Sequence, residues 1–588
     1  MDSMYNKNCS KPKIGSGKKP KVSVNQFVSK VLCFSSQYGR ENSIGYSMTN
    51  LVGPPNLLNR YEDNTQAAVL RTYGPWWLMA PSVSKVIDSQ RSNYLGQDFV
   101  DLWFDTPLYP SNILFYETYH PGAVVEIYAC NIKDISECNS QQNIRWECLY
   151  SCFMQATYNE FRKFSPTLKT CSFPTSLLRI VFRHEHLDYY TEIDAVELVG
   201  ITADSHDGTD LDKLYKEIQH LDISKTAKEN CDETSTSIPG AGANGGFDIL
   251  PAEVIQFIFQ HLTIPDLCRV APVCHLFKKH CYDSILYCQL NIQPYWFKFN
   301  DSDLERFSSR CRQLKKLSLA WCGSYGMLTP ETFDRFIERC GRNMECLQLS
   351  CCSFLNDDNV QTIAETCTQL KELNFQSCTQ LNGRSFGCLS SLHSLQRLNL
   401  YRTSLTDNQA CFLFKNFPDL EHLNLGSVSG IQHFDVVMGS LGHYCKKLKS
   451  LDLWRAKTLT KIGLGSLAKG CPQLLELDIG WCLDVSGIDI LVEKCKNLKK
   501  LFLTSNRTIG DNDLEAIAVN CADLEQLDLL GMRYISPSSL ERVLIKCQKM
   551  VFVDISFCEQ ITTTVVNNLK VLYPRVTFKK SFSRTLDE

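Results

Sequence analysis

The sequence predicts three folded parts in series: a β-sandwich, a box of three short helices, and an α/β solenoid of tandem repeats. Three observations carry this. A short leucine pattern recurs ten times over about the last 270 of 588 residues. A glycine cluster (Gly240, Gly242, Gly245, Gly246) ends abruptly in proline-punctuated apolar helices. Residues 35–201 show alternating strands with no long helical pattern between them.

The repeat is the strongest signal. Its clearest copies place Leu474, Leu477 and Ile479, and Leu524, Leu527 and Leu529, in an L-x-x-L-x-L spacing. The last apolar residue of each copy falls at Leu319, Leu349, Phe375, Leu400, Leu425, Leu453, Ile479, Leu503, Leu529 and Ile555. Successive gaps run from 24 to 30 residues, and eight of the nine fall within the period of leucine-rich repeats. In L-x-L the two apolar residues share one strand face and their neighbours face outward. Between motifs, Leu464, Leu467, Ala468 and Cys471 sit at i, i+3, i+4 and i+7, one face of a helix. Neither half buries its apolar face alone, so the units must stack, with the strands lining an inner wall.

The repeat also accounts for the cysteines. Of 29, many end the helices (Cys445, Cys471, Cys495, Cys521, Cys547) or follow the strands (Cys352, Cys378, Cys482, Cys558). There a free thiol serves as a small buried hydrophobe, which implies a reducing compartment. No C-x-x-C pair occurs, which argues against a zinc ribbon or finger.

Residues 247–293 are the helical box. Pro251 opens one helix, whose apolar face is Val254, Ile255, Ile258, Phe259 and Leu262. Pro265 and Asp266 open a second, with the acid at the favourable end of the helix dipole. Pro272 is placed to shorten or kink it. Leu250-Pro251-x-Glu253, Ile258-Phe259-x-x-Leu262, Pro265-Asp266-Leu267 and Val273-Cys274 followed by Phe277 together resemble an F-box, with Phe277 where many F-boxes carry tryptophan. The resemblance implies docking to a Skp-type adaptor, and through it to a cullin scaffold and a RING subunit. Leu250, Pro251, Ile255, Ile258, Leu262, Leu267, Val273 and Phe277 would make the adaptor surface, an apolar helix face buried in a partner groove. F-box proteins hold a substrate beside ubiquitin carried by other subunits, which is catalysis by proximity. A cap on the open end of the solenoid is compatible with that role.

In the N-terminal part the expected strands are Phe99–Phe104, Ile113–Tyr119, Ala123–Ala129, Ile144–Tyr150, Leu177–Arg183 and Ile193–Val199, broken by turns such as His120-Pro121-Gly122. The segments around Tyr116–Val124 and Asp188–Leu198 resemble a discoidin-like jelly roll. Jelly rolls of that kind often bind ligands through end loops, and Trp76-Trp77 marks a candidate loop, although paired aromatics are more often core. His120, Glu117 and Asp194 read as turn or strand-end polar groups. The order sandwich, linker, F-box, repeats, together with Tyr401-Arg402-Thr403, Leu453-Trp454-Arg455 and Lys579-Lys580-Ser581-Phe582, resembles the F-box and leucine-rich repeat family that carries such a domain. That resemblance spans residues 35–583. It implies action at the mitochondrial outer membrane, facing the cytosol, where mitophagy receptors are marked for degradation. Cytoplasm or nucleus is the alternative address, because the N-terminus lacks an apolar, arginine-rich start.

Five segments follow: a basic disordered tail (1–34), the discoidin-like sandwich (35–201), a flexible linker (202–246), the F-box (247–293), and a solenoid of about ten repeats with a C-terminal tail (294–588). The tail carries six lysines and one acid within residues 1–21, which reads as solvated chain or as a tether to an anionic membrane surface. The linker would let the sandwich move or fold onto the horseshoe. Net charge is −3, so nothing global suggests nucleic acid.

A protein substrate is expected on the inner wall, at Tyr401, Asp452, Trp454, Asp478, Phe502 and Asp528, with Arg402, Arg455 and Trp481 at the strand exits. The aromatics suit anchor roles and the aspartates suit a basic or hydroxyl-rich partner. The same Asp and Asn positions have a second reading, bonding to neighbouring backbone. No nucleophile elbow, phosphate loop or HExxH is present, so no catalytic residue, metal or cofactor is expected. The competing reading is a structural tether that transfers no ubiquitin.

Overall fold

The computed structural model describes residues 23–39, 45–56, 61, 63–71, 96–132, 134, 144–153, 155, 160–187, 190–202, 246–381 and 383–581. Trp76-Trp77, residues 1–22 of the expected tail and residues 203–245 of the expected linker lie outside that range.

Among the described residues the N-terminal unit is an antiparallel sheet of eight strands: β1 (Ser23–Phe27), β2 (Lys30–Phe34), β3 (Asp98–Tyr119), β4 (Val124–Cys130), β5 (Trp146–Ser151), β6 (Arg162–Phe164), β7 (Thr175–Phe182) and β8 (Glu192–Thr202). Two of the expected strands merge in β3, whose first half pairs with β2 and β7 and whose second half pairs with β6 and β8. Residues 23–34, read from the sequence as tail, form β1 and β2 instead. Their pairing partners lie about 70 to 180 residues away, at Val100–Trp103 and Glu197–Ile201, so no local pattern announced them.

Strand β7 is buried at all eight positions. Leu178, Ile180 and Phe182 join the sheet's own core with Val100, Leu102, Ile127 and Leu198. Leu177 and Val181 point the other way, into a core shared with the solenoid, beside Phe99, Tyr128 and Trp146. Strand alternation therefore serves two cores at once.

The solenoid is a parallel sheet of twelve strands in chain order, β9 (Gln289–Asn291) to β20 (Thr577–Lys579), with helices on its outer side. Ten strands are those of the leucine pattern, and one further strand extends each end. β9 lies inside the segment assigned to the F-box and pairs residue for residue with Lys316–Ser318. The box is thus joined to the first repeat by backbone hydrogen bonds.

Each repeat turns the same way. Two residues past every leucine-pattern marker the backbone is left-handed, as at Ser377 (φ 56°), Arg402 (54°), Arg455 (64°), Trp481 (58°) and Gly531 (74°). A non-glycine residue pays roughly 1–2 kcal/mol for that conformation. An Asx bond offsets it. Oδ1 of Asn374, Asn399, Asn424, Asp452, Asp478, Asp528 and Asp554 each accepts from the backbone N–H two residues on, at 2.8–3.0 Å.

The cysteines bind the stack together. The thiols of Cys352, Cys378, Cys482 and Cys558 reach back to the marker carbonyls of Leu319, Leu349, Leu453 and Leu529 at 3.0–3.3 Å. At the helix ends, Cys471, Cys495 and Cys547 reach Cys445, Cys471 and Cys521 in the preceding repeat. A small side chain with one weak donor fits both demands. Burial pushes the Cys471 thiol up to about 11 and those of Cys495 and Cys547 to about 12, so all three stay unreactive.

Candidate docking surfaces

The box consists of α1 (Ala252–Gln260), α2 (Ile264–Val270) and α3 (His275–Cys281). Pro251 occupies the position before α1. Thr263 caps α2, its Oγ1 accepting from the Asp266 N–H at 3.3 Å. The Cys274 sulfur accepts from the Phe277 N–H at 3.4 Å and caps α3. Helix α2 stops at Val270, two residues before Pro272, as that proline requires.

α1 is apolar on two faces. Ile255 and Phe259, four residues apart, point inward and are 2 % exposed. Phe259 meets Phe277 edge-on at 5.5 Å, and Phe277 meets Phe247 at 4.8 Å. Val254, Phe257 and Ile258 point outward, at 40 %, 63 % and 36 % exposure, with Ile249 (70 %) and Val273 (67 %) also exposed. Of the eight residues expected to meet an adaptor, Pro251, Ile258 and Val273 are exposed, and Leu250, Leu262 and Phe277 are half-buried. Ile255 and Leu267 are interior and hold the helices together. They are corrected from contact residues to core residues, because the i, i+4 spacing turned Ile255 toward Phe259. Ile249 and Phe257, absent from the expected set, are the most open apolar side chains of α1 and its approach. The signal for them was that α1 is apolar nearly all round, more than one core requires.

The inner wall is occupied by the chain's own N-terminal domain. Arg71 stands between the rings of Tyr401 and Trp454, 4.9 and 4.7 Å from their centroids. Its Nη2 lies 2.8 Å from Asp452 and 3.1 Å from Asp478. One oxygen of each carboxylate serves the backbone Asx bond, as one sequence reading expects, and the other serves Arg71 of the same chain, where the other sequence reading places a substrate. Burial first, and then the charge of Asp452, push the Asp478 carboxyl up to about 7 against the pull of Arg71. Phe502 joins Trp454, Tyr38, Val69, Tyr119 and Tyr190 in one apolar cluster. Asp528 accepts from Thr504 Oγ1 at 2.6 Å, and burial followed by the Asp554 charge raises it well above a normal carboxyl. All six wall residues proposed from the sequence are at most 2 % exposed. No substrate reaches them while the sheet is seated.

A second arginine bolts the other end. Arg179 of β7 makes a two-pronged pair with Asp101 of β3 at 2.6 and 2.7 Å, and both are fully buried. Its Nη2 donates to Ser324 Oγ at 3.1 Å, and Tyr325 donates to Asp101 at 2.8 Å. Phe99 covers one side of the guanidinium at 3.9 Å and Trp296 lies at 4.1 Å. Left-handed turn residues also reach the end of β2 and the irregular segment that follows it. Ser377 donates to the Ser35 carbonyl at 2.8 Å, Arg402 to Phe34 at 3.1 Å, and Arg455 to Tyr38. At the far end Tyr119 donates to Ser581 at 2.7 Å.

Among the other polar residues, Glu117 is buried, pairs with Arg162 at 2.6 Å and accepts from the Gly122 N–H. His120 is a turn residue with φ 40°, and its carbonyl accepts from Thr191. Asp194 is buried within β8.

The F-box-like family profile matches residues 247–293, the box with its β9 extension. F-box/LRR-repeat protein 4 of Bos taurus is 43 % identical over 573 residues, 95 % of this chain and 92 % of the relative. The chain belongs to the F-box/LRR-repeat protein 4 family. Among solved structures, the Rad7 and Elc1 complex of yeast aligns at 15 % identity and TM-score 0.38, over 64 % of this chain and 96 % of that one. An internalin (inlF) of Listeria monocytogenes aligns at 18 % identity and TM-score 0.34, over 47 % and 70 %.

In this member of the F-box/LRR-repeat protein 4 family the sequence already held a signal that the wall is filled. Leu177-Leu178-Arg179-Ile180-Val181-Phe182 in β7 is apolar on both faces except for one arginine. An antiparallel strand with one face in water alternates instead.

Proposed function

We propose that this chain is the substrate-recognition subunit of an SCF-type cullin–RING ubiquitin ligase. The observation that carries it is the exposed apolar row Ile249, Val254, Phe257, Ile258 and Val273 on a box held to the first repeat by strand pairing. Such a row suits a Skp-type adaptor groove, with the cullin and RING subunits beyond it. The rigid joint suits positioning, since ubiquitin transfer by proximity needs a fixed span between adaptor and substrate. The chain's contribution is to hold and orient, and the ligation chemistry belongs to its partners.

The N-terminal sheet is read as a discoidin-like sandwich, supported by its antiparallel strands and by the Tyr116–Val124 and Asp188–Leu198 segments. By family resemblance the site of action is the cytosolic side of the mitochondrial outer membrane, with mitophagy receptors as substrates. The test is capture of adaptor and cullin by the full chain, with ubiquitin transfer blocked, beside the Leu250→Ala/Pro251→Ala and Phe257→Ala variants. Loss of adaptor from the variants, with mitochondrial membrane neighbours retained, is the expected result. Absence of adaptor from the wild type would leave only the tether.

A further inference from the structure

With the inner wall filled, a substrate must be held elsewhere. A cleft of about 400 Å³ opens where the N-terminal sheet meets the strand exits of the later repeats. That volume lies within the range of functional pockets. Both units build it. The sheet domain supplies Tyr46, Asp63 and Tyr190, and the solenoid supplies Trp481, Arg507, Tyr534 and Phe557. The cleft therefore exists only while the sheet is seated.

Its floor is aromatic and fixed. Tyr38 meets Tyr46 edge-on at 5.5 Å, stacks on Tyr190 at 6.0 Å and meets Trp481 edge-on at 5.9 Å. Tyr534 is 63 % exposed, on a segment tied to Gly510 by a parallel bridge. Aromatic rings that a partner can bury in a pocket are the usual anchors of protein recognition.

The charges select the occupant. Asp63 accepts from the Tyr190 hydroxyl at 2.6 Å and from the Tyr46 hydroxyl at 3.0 and 3.1 Å, so its oxygens are engaged on the sheet side. Arg533 lies 3.9 Å from Glu559, both largely exposed. Arg507 is exposed and, among the described residues, makes no ion pair. Arg507 is thus an exposed cation of the cleft with no carboxylate partner among the described residues, and it sits beside an apolar floor.

We propose that this cleft docks an acidic peptide segment of the substrate, an aromatic or leucine side chain on the tyrosine floor and a neighbouring carboxylate on Arg507. The proposal rests on the ligase-receptor reading and names where that receptor holds its substrate.

The test uses the full chain bound to its adaptor. Short fluorescent peptides with a central tryptophan or leucine, flanked by Glu, Gln or Lys, are titrated and followed by polarisation. Glu-flanked peptides should bind most tightly, and Arg507→Glu should weaken them about tenfold or more, while Tyr534→Ala should weaken all three sets. Both positions are exposed, so the variants should melt as wild type does. Equal binding of the three sets, no binding of any, or Glu-flanked binding unchanged by Arg507→Glu would overturn the proposal. Adaptor binding is read on the same samples. Wild type that binds the Glu-flanked peptides but no adaptor would sink the ligase reading and leave the cleft as a peptide site only.

Discussion

Two surfaces of this chain are rich in the residues that proteins use to hold partners, and they have opposite fates. The F-box row leaves Phe257 and Val273 more than 60 % exposed. The solenoid wall sets Tyr401, Trp454 and Phe502 behind an arginine and a sheet from its own N-terminus, at most 2 % exposed. Both surfaces are apolar with polar punctuation, so composition does not separate them. What separates them is whether the chain carries its own complement. For the wall it does, in Arg71, Arg179 and the segment from Phe34 to Tyr38. For the box, no described residue covers the row.

The sharpest way to break this contrast is to remove the bolt. Arg71→Ala strips Asp452 and Asp478 of their shared cation in a dry site, where loss of one partner costs about 3–5 kcal/mol. Denaturant melts of the full chain should show that loss, and adding Asp452→Asn should recover part of it. A wall that tolerates Arg71→Ala within about 0.5 kcal/mol would mean that the arginine holds nothing.

The box should respond in the reverse sense. Phe257→Ala and Val273→Ala should leave stability within about 0.5 kcal/mol yet weaken adaptor binding by about 2 kcal/mol, as buried anchors do. Calorimetric titration against the adaptor, paired with melts, checks both halves. A stability loss without a binding loss would make the row core.

Acid titration sharpens the wall side. The Asp478 carboxyl is raised in the fold to about 7 from an ordinary 3.8. The folded state therefore prefers it protonated. Its stabilising contribution is full below about pH 4 and is lost as pH rises through about 7, at up to about 1.4 kcal/mol per unit. Asp478→Asn should flatten that decline in melts across the range. Asp98, raised by burial to about 7, leaves a residual slope of the same sign. Buried His184, lowered to about 3, opposes both once pH falls below about 6.5. An unchanged profile in Asp478→Asn would show the carboxyl ionised throughout.

The smallest effect belongs to the cysteine ladder. Cys495→Ala removes one thiol and its 3.5 Å contact to the preceding repeat, which should cost about 1 kcal/mol by melt. No change would make these cysteines mere fillers.

Much of this architecture is local, and local features are legible in a sequence. The ten strands follow from L-x-L alternation, the outer helices from Leu464, Leu467, Ala468 and Cys471 at helical spacing, and the box from prolines at 251 and 265 with apolar residues between them. Each of these is decided by neighbours a few residues apart. The aspartates at 452 and 478 were legible in kind, since an Asx bond closes over two residues. Their second partner was not, because Arg71 lies about 380 and 407 residues away and nothing near it marks its destination. Strands β1 and β2 were missed for the same reason, whereas the inward turn of Ile255 and the outward turn of Phe257 were missed because α1 is apolar on two faces and its spacing does not say which one packs inward. Sequence by itself determined the repeat, its period, its buried thiols and the box. Tertiary structure alone decided which faces close on each other. That choice is made by two buried arginines and by rings at 4–5 Å, contacts whose energy depends on geometry assembled from distant segments and not on any local pattern.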